Sequence, residues 1–169
     1  ALLQEKLPAL SGMVSDIIGV PADLESAVER VLGVDALALV VDDTRGLADT
    51  LDRVLAGDRT GHIEFLAASM AAAEPVYSSV GTPLIDDLTF DERYRGIVTS
   101  LLGDVFLVGS TKQALDALEQ GLPGRYLAPD GLLASGDGRI TLGSPTQEGR
   151  GALERSRELA ELTERIPEL

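Results

Sequence analysis

From Leu24 to Leu32 the apolar residues Leu24, Ala27, Val28, Val31 and Leu32 fall at i, i+3, i+4, i+7 and i+8, and Gly33 comes directly after. That spacing makes one apolar stripe on a helix of 3.6 residues per turn, and a glycine just past the stripe suits the left-handed position that ends a helix. The same register returns 70 residues later, as Tyr94, Ile97, Val98, Leu101 and Leu102 before Gly103, with nothing inserted between the copies. Asp16 and Asp86 align at the same offset. The chain therefore reads as an internal repeat.

Beyond each glycine the elements keep one order. Ala36 to Val41 and Val105 to Val108 are nearly continuous apolar runs, the pattern of buried strands. Each run meets a capping residue, Thr44 or Ser110. A helix comes next in both, one with Leu47, Ala48, Leu51, Val54 and Leu55 ending at Gly57, the other with Ala114, Leu115 and Leu118 ending at Gly121. Extended segments resume at His62 to Leu66 and Arg125 to Ala128. This predicts an α/β (α+β) fold of two pseudo-symmetric half-domains of mixed sheet and helices, at 11–69 and 81–148. The alanine-rich stretch 70–80, broken by Pro75, is their connector rather than a flexible linker. A competing reading is chance, since helix and strand alternate in many α/β proteins and the offset is constant only through the first helix.

After the second copy, Gly131, Gly136, Gly138 and Gly143 punctuate two short apolar runs. Asp130-Gly131 and Asp137-Gly138 are turn dipeptides, and Ile140 and Leu142 alternate with polar neighbours, so a pair of short strands is expected. Glycines there either let another backbone or subunit approach closely or simply punctuate loops. At the ends, Leu3, Leu7 and Leu10, and Ala152, Leu159, Leu162, Ile166 and Leu169, fit the seam positions of a coiled coil. Residues 1–10 and 149–169 are read as short antiparallel coiled-coil stubs, the first ended early by Pro8. Opening on Ala1 with unfinished helical ends, the chain reads as a piece of a longer protein.

Composition narrows the function classes. With 169 residues, 44% of them hydrophobic, there is material for a real core, and 28 acids against 14 bases give a net charge of -14. That charge argues against non-specific attraction to nucleic acid or anionic membrane. The chain has no cysteine, and it carries neither an apolar run of membrane-spanning length nor a signal-peptide pattern, so a cytoplasmic protein is expected. Gly103 to Lys112 mimics a phosphate loop, but five residues separate its glycines and Ser-Thr-Lys comes after the second, so the lysine is misplaced. Gly136-Asp-Gly138 lacks the third glycine of a dinucleotide fingerprint. His62 is the only histidine and leads an apolar strand, while Asp42-Asp43 and Asp86-Asp87 read as solvated charges and caps. No catalytic residue, cofactor or metal is expected. The alternative is a small α/β ligand-binding or enzymatic domain of unknown ligand.

The glycine-rich stretch resembles the hinge signature of prokaryotic-type SMC (structural maintenance of chromosomes) proteins, in which an Asp-Gly leads, seven residues on, to a glycine that opens a strand ending in Gly-Gly. Gly131 and Gly138 have that spacing, and Gly143 and Ser144 match the second glycine and the small residue after it, while Leu142 departs from the first. Gly151 to Leu159 resembles the return into the coiled coil, and Ala27 to Val41 with Gly61 to Leu66 resembles the first hinge half. The resemblance implies a homodimer formed through two equivalent contacts, joining the arms of two SMC subunits whose ATPase heads lie elsewhere. It puts Gly131, Gly136, Gly138, Ile140, Leu142, Gly143 and Phe65 at the dimer interface. It also implies a nucleoid-associated protein of chromosome condensation, segregation or DNA repair, with DNA touched near the coil root. Residues 11–69 and 81–148 carry net charges of -7 and -5, so such contacts fall to Lys6, Arg150, Arg155 and Arg157. A solvated helix face of Glu-Arg pairs explains those arginines more simply than DNA contact does.

Overall fold

The computed structural model describes residues 10–57, 62–143 and 152–165. The first copy runs β1 (Leu10–Met13), the single turn α1 (Val14–Ile17), β2 (Ile18–Gly19), α2 (Glu25–Leu32), β3 (Leu39–Val41), α3 (Arg45–Ala56) and β4 (Phe65–Ala67). The second runs β5 (Thr82–Pro83), a 3-10 turn over Leu84–Asp87 where the first has α1, β6 (Thr89–Phe90), α4 (Arg95–Leu102), β7 (Val105–Leu107), α5 (Thr111–Glu119) and β8 (Arg125–Leu127). It then adds β9 (Leu133–Ser135) and β10 (Ile140–Thr141), and α6 (Ala152–Arg165) closes the described chain.

Helices α2 and α4 stand 70 residues apart, as the periodicity predicts, burying Val28 and Leu32 in one and Ile97, Val98 and Leu102 in the other. Gly33 ends α2 at a φ of 54°, the left-handed conformation expected of it. Gly103 differs. Its φ is -70°, and a Cβ there would run into the Thr99 carbonyl, so it is glycine for close packing rather than for handedness.

Both copies build the same sheet. β1 lies antiparallel to β3 and β3 parallel to β4, just as β5 lies antiparallel to β7 and β7 parallel to β8. The registers correspond, Met13 facing Leu39 and Leu39 facing Phe65 in one, Pro83 facing Phe106 and Phe106 facing Tyr126 in the other. The first sheet stops at β4, whereas the second continues through β9 to β10. A third, two-stranded pairing joins the copies, with Ile18 opposite Phe90 and Gly19 opposite Thr89. Since Gly19 and Thr89 are themselves 70 residues apart, this pair maps onto itself and lies on the pseudo-two-fold axis.

The main core draws on both copies, with Val14, Val28, Val40, Leu84, Val98 and Val105 fully buried. Each such side chain contributes about 1.5–3 kcal/mol by leaving water. Leu153 of α6 joins it, which fixes the coil root to the body. A second core belongs to the second copy alone, where Ala114 and Ala117 of α5 cover Phe106, Tyr126 and Ala134, with the two rings stacked at 5.6 Å. The connector is tied to it through Val76 and Val80 and through Ser78 Oγ, 2.8 Å from the Tyr126 hydroxyl.

Two local expectations change. Leu10 lies opposite Val41 in β1 instead of on a coil seam, because the backbone here completes the sheet beside β3. The apolar run from Ala36 is strand only over Leu39–Val41, since Gly33–Leu37 forms a 3-10 turn that buries Ala36. At the start of α3 the Asp43 carboxylate accepts from the Arg45 N–H at 2.9 Å, beside the expected cap Thr44. Ser110 caps α5 as expected, accepting from the Gln113 N–H at 3.1 Å.

Charge breaks the repeat. Arg125, at the start of β8, donates to Asp104 at 2.6 Å and to the Leu101 carbonyl at 2.6 Å. The position of the first copy that matches Arg125 is acidic, Glu64 just before β4, and Asp35 lies in the turn before β3. Burial, then repulsion from Glu64, pushes the Asp35 carboxyl above its usual range, against a smaller opposing pull from Arg125. A raised carboxyl favours the folded state below its unfolded pKa and loses that contribution as pH rises through the folded value. Asp35→Asn should therefore melt above the parent at about pH 7, and the gap should narrow as pH falls towards about 4, by circular dichroism at several pH values. Arg125→Ala should cost about 2 kcal/mol in urea unfolding, because it strands a half-buried carboxylate and a carbonyl.

Candidate functional site

A strand without a neighbour leaves its outward N–H and C=O groups to water or to another chain. Of the four outer edges of the two larger sheets, two are blunted. β5 is two residues long and carries Pro83, and β1 has a register shift between Leu10 and Gly12. The other two, β4 and β10, carry neither a proline nor a register shift, although β10 is as short as β5.

These two edges also expose apolar side chains. In the second sheet Phe106, Tyr126, Ala134 and Ile140 lie opposite one another in one row, so Ile140 extends the row of the second core to the rim, where it is 51% exposed. Leu142 lies just beyond at 72%. The matching row of the first sheet runs Met13, Leu39 and Phe65 and stops there, with Phe65 half-buried. Helix α3, counterpart of α5, has no buried side chain among its described residues, and Leu55 is 78% exposed. An apolar groove lined by Val34, Leu37, Leu39 and Ile63 continues the rim. The first copy thus has the sheet and helix of a second core without the strand that would fill it.

The hairpin is held by its own turn and by the loop before β8. The Gly136 N–H donates to the Gly124 carbonyl at 2.9 Å, and the Gly138 N–H donates to the Ser135 carbonyl at 2.9 Å. The Arg139 N–H donates to the Asp137 carboxylate at 3.0 Å, the main reason that this carboxyl sits below its usual range. Gly138 and Gly143 face open space, Gly138 with a φ of 89° at the turn. Gly131 does not share that surface. It is buried, and a Cβ on it would run into the Arg30 guanidinium, so the close approach it permits is within the chain. Of the seven residues expected at an interface, Phe65 lies on one rim and Gly136, Ile140, Leu142, Gly138 and Gly143 on the hairpin of the other, while Gly131 sits behind it.

At the coil root α6 lies antiparallel to α2. The Leu153 N–H donates to Glu29 Oε1 at 3.0 Å, and one turn on Arg157 donates to Glu25 at 2.5 Å and to Glu161 at 3.1 Å. Ser156 donates to Asp16 at 3.2 Å. Arg157, one of the four residues considered for DNA contact, is thus engaged by two carboxylates. Lys6, Arg150 and the side chain of Arg155 lie outside the described residues. From the other end of α2, Arg30 donates from Nε to the Gly143 carbonyl at 3.0 Å. Sequence reasoning does not reach these α2 contacts, whose only local trace is the i, i+4 spacing of Glu25 and Glu29. Among the described residues no group of histidines and carboxylates could hold a metal, and no helix is long and apolar enough to cross a membrane.

The family model of the SMC proteins flexible hinge domain matches residues 7–118. The chromosome partition protein Smc of Myxococcus xanthus is 31% identical over 97% of this chain, and that of Bacillus subtilis is 28% identical over 98%. The chain spans only 14% and 15% of the length of those two relatives. The hinge domain of the Pyrococcus furiosus SMC protein superposes with a TM-score of 0.72 at 27% identity, covering 85% of this chain and 77% of that one. An asymmetric dimer of the Geobacillus stearothermophilus SMC hinge domain shares the fold, with a TM-score of 0.77 at 23% identity over 98% of this chain and 70% of that one. With a repeated half-sheet, two open rims and a coil root on one body, the chain belongs to the flexible hinge domains of the SMC proteins.

Proposed function

We propose that this hinge joins two copies of its parent by docking β10 of each copy along β4 of the other. The observation that carries the reading is the mismatch between the two copies of the repeat: one sheet stops where the other continues into a hairpin. An edge of one kind meeting an edge of the other kind, repeated by a two-fold axis, gives two equivalent contacts and a closed pair with neither edge left over. Ile140 and Leu142 of the partner then lie beside Phe65 and beneath α3, completing the core that the first copy lacks. Burying each from water is worth about 1.5–3 kcal/mol, and the symmetry counts each twice. Gly136, Gly138 and Gly143 leave room for the approaching backbone, and Gly131 lets Arg30 brace the hairpin from behind. The half-domain limits obey the same logic, with 11–69 carrying the receiving edge and 81–148 the inserting one.

In the parent, α6 and the N-terminal segment begin the arms, ATP hydrolysis belongs to heads outside this chain, and the joint itself does no chemistry. The setting is the cytoplasm, at the nucleoid, in chromosome segregation and condensation. DNA contact, if made at the coil root through Lys6, Arg150, Arg155 and Arg157, is weak and strongly salt-dependent, because few phosphates are neutralised and Arg157 must leave Glu25 and Glu161.

Sedimentation at low micromolar concentration should give a dimer, and Ile140→Glu with Leu142→Glu should give a monomer with an unchanged circular dichroism spectrum, since both side chains are already exposed in the single chain. A monomeric parent chain, or a double variant that stays dimeric, would refute the docking. ATP should leave the melting temperature unchanged, where a nucleotide enzyme would be stabilised by mass action. Fluorescence anisotropy at low salt should detect only weak DNA binding, lost on replacing Arg150, Arg155 and Arg157 with alanine; tight binding at physiological salt would place the DNA site elsewhere.

A further inference from the structure

The strand that ends the hairpin and the helix that begins the coil are consecutive elements of the chain, separated by residues 142–151. One short helix grips that crossing at both ends. Over six residues α2 presents Arg30 to the Gly143 carbonyl, Glu29 to the Leu153 N–H and Glu25 to the Arg157 guanidinium. The order is monotonic: moving back along α2 from 30 to 25 moves forward along the chain from 143 to 157. These are charge-assisted bonds, stronger than neutral ones, and the Glu29 carboxylate also sits at the N-terminal end of α6, where the helix dipole favours a negative charge. On its inner side α2 is fixed to the core by Val28 and Leu32.

We infer that α2 is a clamp across the joint, coupling the orientation of the coiled-coil root to the order of the interface hairpin. This rests on the docking proposed above and adds its regulation. The bonds at 153 and 157 hold α6 against α2, and the bond at 143 holds the strand that reaches the partner. Pulling the arm away from α2 takes the α6 partners from Glu29 and Glu25, on the same short helix that carries Arg30. Held then only through Val28 and Leu32, α2 is free to roll on the core, which carries Arg30 away from the Gly143 carbonyl, and the strand end loses its brace. In the other direction, a hairpin ordered by its partner keeps Gly143 in place and favours α6 seated on α2. Coupling between two binding equilibria is reciprocal, so the two effects must be equal in free energy.

The test uses hydrogen exchange on the whole chain, with sedimentation beside it. Glu25→Gln with Glu29→Gln loosens the root without touching the hairpin, and Arg30→Gln releases the hairpin without touching the root. The glutamine pair should speed exchange at the hairpin amides 133–141 and weaken dimerisation about five-fold or more, the lower end of ordinary coupling between sites. Arg30→Gln should speed exchange at the first turn of α6, and the triple variant should show less than the product of the separate effects. Ile140→Glu with Leu142→Glu, if monomeric, should likewise speed exchange at the first turn of α6. If the glutamine pair speeds exchange in α6 alone, with hairpin exchange and dimer strength unchanged, the clamp is refuted while the docking stands. If the parent chain is monomeric, the docking itself fails. A circular dichroism melt within error of the parent shows that each variant is folded.

Discussion

Gly19 lies opposite Thr89, and the rest of the fold is arranged about that contact. A Cβ on Gly19 would run into the Thr89 hydroxyl, so the two short strands can pair only because one of them is bare at the axis. The pairing brings α2 and α4 to one core, where Val28 and Val98, 70 residues apart, are both fully buried. Each helix stripe is buried in a core that draws on both copies. The repeat is therefore a single domain built from two equivalent parts, and the apolar stripes are the force that joins them.

Having made the copies equivalent in their shared core, the chain makes them different on the outer side. The second copy adds the β9–β10 hairpin, fills the face beneath α5 and neutralises the start of its parallel pair with Arg125 and Asp104. The first copy adds nothing at β4, leaves α3 without a buried face among its described residues and places Asp35 near Glu64 where the other has an ion pair. A strictly symmetric repeat would offer two identical rims. Divergence produces two different rims, and in the proposed docking one receives and the other inserts, which is the minimum a chain needs to pair with itself twice about a two-fold axis and stop.

The parts legible in the sequence are those set by local periodicity. The stripe of α2 and its return in α4, the Ser110 cap and the two-strand reading of the glycine-rich stretch all depend on residues within two turns of one another, and the structure has them. The two-residue strands β2 and β6 are not legible, because two residues carry no period. Leu10 reads as a seam residue because a leucine every three or four residues continues a helical pattern equally well whether or not the backbone has already joined a sheet. In the sequence Gly131 is indistinguishable from its neighbours at 138 and 143, and only the position of Arg30, 101 residues away in the chain, separates them. The rims at Phe65, Ile140 and Leu142 are reached through resemblance rather than pattern, since an exposed apolar residue next to a strand end has no signature of its own.

The acidic character of the chain fits the same division of labour. A net charge of -14 repels nucleic acid from most of the surface, and several described arginines are held close to carboxylates: Arg95 with Glu92, Arg125 with Asp104, Arg157 with Glu25 and Glu161. Arg30 is different, since its bond is to a backbone carbonyl with no carboxylate bond beside it, although the Asp130 carboxylate lies near enough to feel its charge. A carbonyl holds a guanidinium less strongly than a carboxylate does, so of these contacts the one at Gly143 is the easiest to break. The clamp proposed for α2 needs such a contact at the boundary where strand becomes arm. Arg30 provides it.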